Sequence, residues 1–338
     1  MNPLYLPTTI EAAQSALVPG AVVRAGGTDL QDRRQLGLAQ GPIVDLRDVP
    51  GLDAMQPVTG GLQLGAKVTI AALADDAHIR AAYPGVALCA ASLASPHIRA
   101  VATIAGNLLQ APRCWYYRSD HFRCLKSGGT GCHARTGDHS LHVVFDTEAC
   151  VAPHVSTMAL AMLAYDASVQ VHGADDRTIA ALYADRSDPA ADHTLGADAI
   201  MTHVTLPPPT SGDRAGYVRS ANRAYAEWPL ADALVRLVIE AGTITLARVV
   251  VGGVATVPLR LPHVEEALVG QAAETRTYRA AASLATRDAT PLPNTGYKLP
   301  LLEGAVLGAL EIAHDRPPAP SAAPEPLPPT ATEPEHDQ

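Results

Sequence analysis

Aromatic side chains, long apolar runs and basic clusters are all scarce in this sequence of 338 residues. Phe, Trp and Tyr make up only 4% of the chain, while hydrophobic residues make up 47%, so a folded core has to be built from aliphatic side chains. The sequence has no apolar run of about 18 residues, the length that a membrane-spanning helix needs. The formal net charge is −9 and no long run of Lys or Arg occurs, which argues against nucleic-acid binding. We therefore expect a folded protein with neither a nucleic-acid partner nor a membrane span.

The N-terminal residues also lack the pattern of a secretory signal. Met1–Tyr5 contains no basic region followed by an apolar stretch. We expect a cytoplasmic protein, with export as an alternative if a partner subunit carries a signal.

The first 55 residues have the pattern of a small α/β unit. Thr8-x-x-Glu11 predicts a capping box that opens a helix. Residues 21–23 form a short apolar run that predicts a strand, and the glycine loop 26–29 follows at once. Residues 42–46 predict a second buried strand, and this order of strand, glycine loop, helix and strand is typical of α/β units.

The rest of the chain alternates between helical and extended patterns. Helical sequence covers residues 69–94, with an interruption at Pro84, and strands are predicted at 168–172 and 200–206. Beyond Pro207, antiparallel strands are predicted around residues 242–251. Two helices are then predicted, near residues 263–269 and 275–287.

Four of the five cysteines form one group. Cys89 lies in a helical stretch, where a small buried side chain is expected. The others, Cys114, Cys124, Cys132 and Cys150, are spaced C-x9-C-x7-C-x17-C, and three of them lie in a glycine-rich segment without apolar periodicity. Disulfides need an oxidising compartment, and zinc sites usually have close C-x2-C pairs. The spacing alone leaves an iron–sulfur cluster, zinc and free thiols open.

Four segments resemble the flavin subunit of the xanthine dehydrogenase family of molybdenum hydroxylases. Residues 94–110 are similar to the family's "SPQIRN…ATIGGNL" segment, and residues 25–30 match its other glycine signature. Residues 248–255 and 294–298 resemble its C-terminal domain. The segments occur in the order of the family.

The resemblance implies an α+β fold: a two-part α/β FAD-binding domain of the PCMH or molybdopterin dehydrogenase type, followed by a C-terminal domain of a sheet plus helices. The implied parts are residues 1–55, residues 56–210 with an insertion at 111–150, and residues 215–314. Residues 315–338 are mostly Pro, Ala, Glu and Thr, and this composition predicts a disordered Pro-rich tail. The resemblance also implies FAD between the first two parts. The implied FAD-binding residues are Ala25, Gly26, Gly27, Thr28, Asp29, Leu30, Thr103, Ala105, Gly106, Asn107, His142 and Lys298.

One branch of that family carries a cysteine-bearing loop after the "GGNL" segment. The flavin subunits of 4-hydroxybenzoyl-CoA reductase and periplasmic aldehyde oxidoreductase are examples, and their loop holds a 4Fe–4S cluster. By this resemblance the cluster ligands are Cys114, Cys124, Cys132 and Cys150. The implied function is electron transfer from a large molybdenum-cofactor subunit and a small 2Fe–2S subunit, through FAD, to an external acceptor.

Three departures from the family pattern motivate an alternative. Ala105 replaces a glycine of "GGN", Ser140 stands where relatives have an arginine, and Thr157 stands where relatives have an acid. The alternative is a scaffold subunit that keeps the cluster while its flavin site has degraded. A free-standing FAD oxidase is a third hypothesis.

Overall fold

The computed structural model describes residues 3–184, 187–223 and 227–319. Three sheets follow one another along the chain, and each belongs to a different part of the fold. The parts occur in the predicted order, a two-part domain followed by a sheet with helices. The predicted fold class is therefore confirmed.

The first part contains a three-stranded parallel sheet with the order β1-β3-β2. Its elements are β1 (Leu4–Tyr5), α1 (Ile10–Ser15), β2 (Val22–Arg24), α2 (Leu30–Gln35) and β3 (Ile43–Asp45). Helix α1 begins one residue later than the capping box predicted, because the hydroxyl of Thr9, and not that of Thr8, accepts the amide of Ala12 at 3.2 Å. The short strand β1 was not predicted.

The second part contains a five-stranded antiparallel sheet with the order β4-β5-β8-β6-β7. Its strands are β4 (Met55–Val58), β5 (Gly61–Gly65), β6 (Ser168–Val171), β7 (Arg177–Thr178) and β8 (Met201–Leu206). Its helices are α3 (Ile70–Asp75), α4 (Ala77–Ala82), α5 (Pro84–Ser92), α6 (Pro96–Arg99), α7 (Ile104–Leu108), α8 (Thr157–Ala164) and α9 (Ile179–Leu182). The predicted helical stretch 69–94 is divided because Asp76 caps α4 and Pro84 starts α5.

The cysteine-rich segment lies between α7 and α8. Residues 109–156, all of which the structure describes, contain only two short 3-10 helices, Leu125–Ser127 and His133–Arg135. Turns and side-chain contacts therefore hold this segment in place, because it has no regular backbone ladder of its own.

The third part is an antiparallel sheet with the order β12-β11-β10-β9, covered on one face by helices. Its elements are β9 (Asp213–Ser220), β10 (Ala231–Glu240), β11 (Thr243–Gly252), β12 (Leu259–Arg260), α10 (Pro262–Leu268), α11 (Thr275–Ala282) and α12 (Lys298–Asp315). Alternate residues of β10 point to opposite faces. Ala233 and Val235 pack in the core beneath α12, and Leu234 packs in the core that contains α5 and α8.

The end of the described chain differs from the predicted tail. Asp315 is the last residue of α12, and the amide of Ala319 donates to the carbonyl of Asp213 at 2.8 Å. Residues 315–319 therefore lie against the start of β9. The rest of the predicted disordered tail, residues 320–338, lies outside the described residues. In the part of the chain that the structure describes, none of the helices has both the length and the apolar composition to cross a membrane.

Candidate functional site

The first glycine loop follows strand β2 directly and leads into helix α2. Gly27 has a φ of +73°, a conformation that favours glycine. A methyl group on Gly26 would overlap the carbonyl oxygen of Val101 in the second part. Gly26, which the resemblance implied as an FAD-binding residue, thus also lets the two parts of the domain meet.

The second glycine segment forms the start of helix α7. The hydroxyl of Thr103 accepts the amide of Gly106 at 3.2 Å and so caps this helix. Ile70 donates to the carbonyl of Ala102 at 2.9 Å, which fixes the segment against the start of α3. The two glycine segments thus face each other across the boundary between the first and second parts.

Two adjoining pockets open at this boundary. The glycine pocket, about 330 Å³, is lined by nine of the predicted residues. These are Ala25, Gly26, Gly27, Thr28, Asp29, Leu30, Thr103, Ala105 and Gly106. The Trp228 pocket, about 460 Å³, is lined by Asn107 and Trp228 among others. Thr28, Asp29 and Gly106 line both pockets, so together they form one crevice of a size suited to a dinucleotide.

Buried nitrogen donors stand on the walls of this crevice without partners among the described residues. Arg33 Nε and His193 Nδ1 belong to residues of the glycine pocket, and Arg113 Nε and Arg219 Nε belong to residues of the Trp228 pocket. A buried donor without an acceptor is costly. FAD carries two negative phosphate charges and many acceptor atoms, so this set of donors fits it.

The side chain of Asn107 is fixed on one side. Its Oδ1 accepts the Ser156 hydroxyl at 2.7 Å and the Met158 amide at 3.3 Å. Ser156 also caps helix α8, so the sequence around 155–157 serves to hold Asn107 in place. Thr157 lines the Trp228 pocket at the position where relatives have an acid.

Asp29 contacts the cysteine-rich segment. Its carboxylate lies 2.6 Å from Arg118 and 3.0 Å from Arg113, and it accepts the amide of Ala111 at 3.2 Å. The predicted role of Asp29 as a direct ligand of the cofactor thus has a structural alternative, because both of its oxygens already have partners in the protein.

All four grouped cysteines line one small cavity. Cys114, Cys124, Cys132 and Cys150 come together there with the rings of Tyr116 and Tyr117. All five cysteines of the chain are free thiols, and Cys89 is completely buried in the core as predicted. Among the described residues, no three Cys, His, Asp or Glu side chains converge closely enough to hold a single metal ion.

The thiols of this cavity also interact with one another and with a histidine. A hydrogen bond from Cys150 lowers the pKa of Cys132. Burial raises the pKa of Cys114, whose Sγ lies 3.3 Å from Nε2 of His142.

The cations and aromatic rings near the cysteines are integrated into the fold. Lys126 is 5% exposed and lies 2.6 Å from Asp192, so its charge is paired within the protein. Tyr116 and Tyr117 line the cysteine cavity, and the hydroxyl of Tyr116 occupies the space beside Gly137. The Trp115 ring meets the ring of His142 edge-on, with centroids 5.5 Å apart.

His142 and Lys298 line neither pocket of the crevice. Lys298 is completely buried and donates to the carbonyls of Leu141 and Gly253, both at 3.0 Å. Burial lowers the pKa of Lys298 to about 7. These two residues, implied as cofactor ligands by resemblance, lie instead where the cysteine-rich segment meets the start of α12.

The third part contributes residues that the sequence analysis did not assign to the site. Arg219, Glu227 and Trp228 all line the Trp228 pocket, and the guanidinium of Arg113 lies 4.5 Å from the centre of the Trp228 ring. The one available signal was that Trp228 is one of only two tryptophans in the chain.

Comparisons with known proteins agree with this architecture. Residues 1–209 match the family model of the FAD binding domain in molybdopterin dehydrogenase. Residues 216–298 match the CO dehydrogenase flavoprotein C-terminal domain. The aldehyde oxidoreductase FAD-binding subunit PaoB of Escherichia coli (strain K12) is 35% identical over 264 residues, which are 75% of this chain and 81% of PaoB.

Solved structures show the same fold. The reconstituted CO dehydrogenase from Oligotropha carboxidovorans superposes with a TM-score of 0.73 at 21% identity, covering 94% of this chain and 98% of that chain. Quinoline 2-oxidoreductase from Pseudomonas putida 86 gives a TM-score of 0.72 at 19% identity, covering 93% and 97%. Together with the two family matches, these findings show that the chain belongs to the FAD-binding subunits of the molybdenum hydroxylase family and is an oxidoreductase subunit.

Proposed function

We propose that this chain is the electron-transfer subunit of a three-subunit molybdenum hydroxylase and carries a 4Fe–4S cluster beside its FAD. A large molybdenum-cofactor subunit and a small 2Fe–2S subunit are the proposed partners, and an external acceptor takes the electrons. The observation that carries the cluster proposal is that Cys114, Cys124, Cys132 and Cys150, although spread along the chain, line a single cavity. We propose a cytoplasmic location, or export together with a partner that carries a signal.

The arrangement of the thiols favours a cluster over zinc. A single zinc ion needs its sulfur ligands to converge to about 2.3 Å from one point. The described residues provide no such point, although four free thiols surround one cavity. A 4Fe–4S cluster takes one thiolate at each of four iron atoms, so it requires thiols around a cavity and not around a point.

The crevice supports FAD binding. Gly106 and Thr28 border both of its pockets, and Thr28 offers a hydroxyl group to a bound dinucleotide. Arg33 and His193 supply the buried donors of the glycine pocket. When bound, FAD supplies an electron carrier that accepts electrons singly and releases them in pairs.

The alternative is a scaffold subunit with a degraded flavin site. Ala105, one of the departures from the family pattern, is 8% exposed and lines the glycine pocket, but its methyl group leaves that pocket at about 330 Å³. Thr157 removes one acid, yet Asp29, Asp32 and Glu227 still border the Trp228 pocket. These observations favour a working flavin site. A free-standing FAD oxidase is a further alternative, which isolation of an active single chain would support.

The deciding experiment is anaerobic purification after co-expression with the neighbouring genes. FAD, iron, sulfide and zinc are then quantified on this subunit. We expect about one FAD and four iron atoms per chain, the content of one flavin and one cubane cluster.

Cysteine variants locate the cluster. Replacing Cys124 or Cys132 by Ser should remove the iron. Cys89→Ala, which removes a thiol from the core and not from the cavity, should retain it. Iron without FAD would support the scaffold alternative, zinc without iron would contradict the cluster, and FAD without any metal would leave a simple flavoprotein.

A further inference from the structure

Asp29 connects the glycine loop of the flavin crevice with the cysteine-rich segment. Its carboxylate is 13% exposed and pairs with Arg118 at 2.6 Å and Arg113 at 3.0 Å, whose side chains are 11% and 17% exposed. The amide of Ala111 is a third donor, at 3.2 Å. Ion pairs this well shielded and multiply hydrogen-bonded are strongly destabilised when one partner is removed.

The two arginines stand on either side of a proposed cluster ligand. Arg113 immediately precedes Cys114, and Arg118 follows it by one turn, with its amide donating to the carbonyl of Cys114 at 2.9 Å. Arg118 also donates through its guanidinium to the carbonyls of Pro112 and Ala111, at 2.9 and 3.2 Å. The backbone around Cys114 is therefore held by contacts that converge on Asp29.

Asp29 equally belongs to the flavin crevice. It precedes helix α2, and the amide of Arg33 donates to its backbone carbonyl at 3.2 Å. Asp29 and its neighbour Thr28 form part of the wall of both pockets. Arg113 lines the Trp228 pocket as well, so the same contacts shape both sites.

We infer that Asp29 is a positioning residue that couples the two sites, so that an ordered cysteine-rich segment strengthens FAD binding and bound FAD strengthens retention of the cluster. This inference rests on the proposed function, because it requires both groups on one chain. The coupling acts through the carboxylate of Asp29 and the two guanidiniums, and not through contact of Asp29 with FAD. Thermodynamic linkage makes such coupling reciprocal, with effects of about 5- to 150-fold on affinity.

The test compares FAD affinity of the purified complex before and after iron is removed with a chelator, with FAD fluorescence as the readout. In the wild type, iron removal should weaken FAD binding by about fivefold or more. In Asp29→Asn, FAD should bind more weakly in the iron-loaded complex, and iron removal should have no further effect. The variant should also lose iron to the chelator faster than the wild type.

Two further variants make the result specific. Asp75→Asn breaks the exposed pair between Asp75 and Arg80, and should keep the wild-type response to iron removal. Arg118→Met removes one of the two arginine contacts of Asp29 and should reduce the response of FAD affinity to iron removal, so it serves if Asp29→Asn does not fold. Wild-type FAD affinity that does not respond to iron removal would overturn the inference while leaving the proposed function intact. A wild-type complex that holds no iron or no FAD would overturn both.

Discussion

The hydroxyl of Ser156 donates to Oδ1 of Asn107 over 2.7 Å, and both side chains are buried. This hydrogen bond joins the end of α7 to the start of α8 on either side of the cysteine-rich segment. It also fixes the orientation of the Asn107 amide, because Oδ1 is the atom that accepts. The remaining amide nitrogen is a donor at the edge of the Trp228 pocket.

Asn107→Asp should weaken FAD binding without a large loss of stability. The aspartate keeps an acceptor for Ser156 and for the Met158 amide at the N-terminus of α8. It loses the amide donor and adds a negative charge beside an anionic cofactor, for an expected loss of about tenfold in affinity. Fluorescence titration with FAD and thermal unfolding measure the two effects. Asn107→Ala is the matched variant, which should lose affinity and stability together, whereas wild-type affinity in Asn107→Asp would contradict a donor role.

Gly26→Ala should push the first and second parts of the fold apart at the crevice and so weaken FAD binding. The added methyl group would overlap the Val101 carbonyl, and backbone on both sides limits relief. Overpacking of this kind costs about 1–3 kcal/mol, which corresponds to a loss of FAD affinity of about 5- to 150-fold if the strain opposes FAD binding. Gly60→Ala adds a methyl group into open space and should bind FAD normally. Equal FAD affinity in the two variants would show that the close approach at Gly26 is dispensable.

A buried ion pair within the C-terminal sheet also contacts the flavin-binding domain, where the hydroxyl of Tyr165 donates to Asp213. Arg236 lies 3.1 Å from Asp213, donates to the Ala164 carbonyl at 2.7 Å, and packs 3.6 Å from the centre of the Tyr165 ring. Arg236→Met leaves the Asp213 carboxylate without its cation and should lower the free energy of unfolding by about 3–5 kcal/mol.

Urea unfolding measures this loss, with the exposed pair of Arg80 and Asp75 as the comparison. Arg80→Met should cost about 1 kcal/mol or less. If Arg236→Met costs no more than Arg80→Met, the buried ion pair does not stabilise the fold.

Lys298 should make stability depend on pH. Burial lowers the pKa of its ammonium to about 7, from an ordinary value of 10.5. Between these two pH values the unfolded chain binds the proton and the folded chain does not, so the free energy of unfolding should rise with pH across this window. The penalty on the folded state is complete below the folded pKa and disappears above pH 10.5.

Urea unfolding at a series of pH values tests this expectation. Lys298→Met should remove the rise between about pH 7 and pH 10.5. Lys67→Met is the matched control, because Lys67 also donates to two carbonyls, those of Arg47 and Val49, but is only half-buried. If the free energy of unfolding of Lys298→Met still rises with pH across this window, a group other than Lys298 causes the rise.

Local patterns predicted about half of the elements, those whose residues carry strong local preferences. Pro84 marks the start of α5, and the apolar run 42–46 contains β3. Helix α12 was not predicted, since Pro300, Gly304 and Gly308 weaken its helical pattern. Packing stabilises it instead, because Gly216 lets the helix backbone approach β9 so closely that a methyl group would overlap the Ala309 carbonyl.

The sequence by itself determined the chemical inventory of this protein: two glycine segments, four grouped cysteines and the order in which they occur. The residue types alone provide this inventory, because the conformational freedom of glycine and the reactivity of a thiol are properties of a single residue. Only the tertiary structure decided which groups meet. In the structure, Val101 contacts Gly26, and Asp29 pairs with Arg113 and Arg118. Trp228 lines the crevice, whereas His142 and Lys298 lie outside it. Such contacts join residues far apart in the chain, and no local pattern encodes the distance between them.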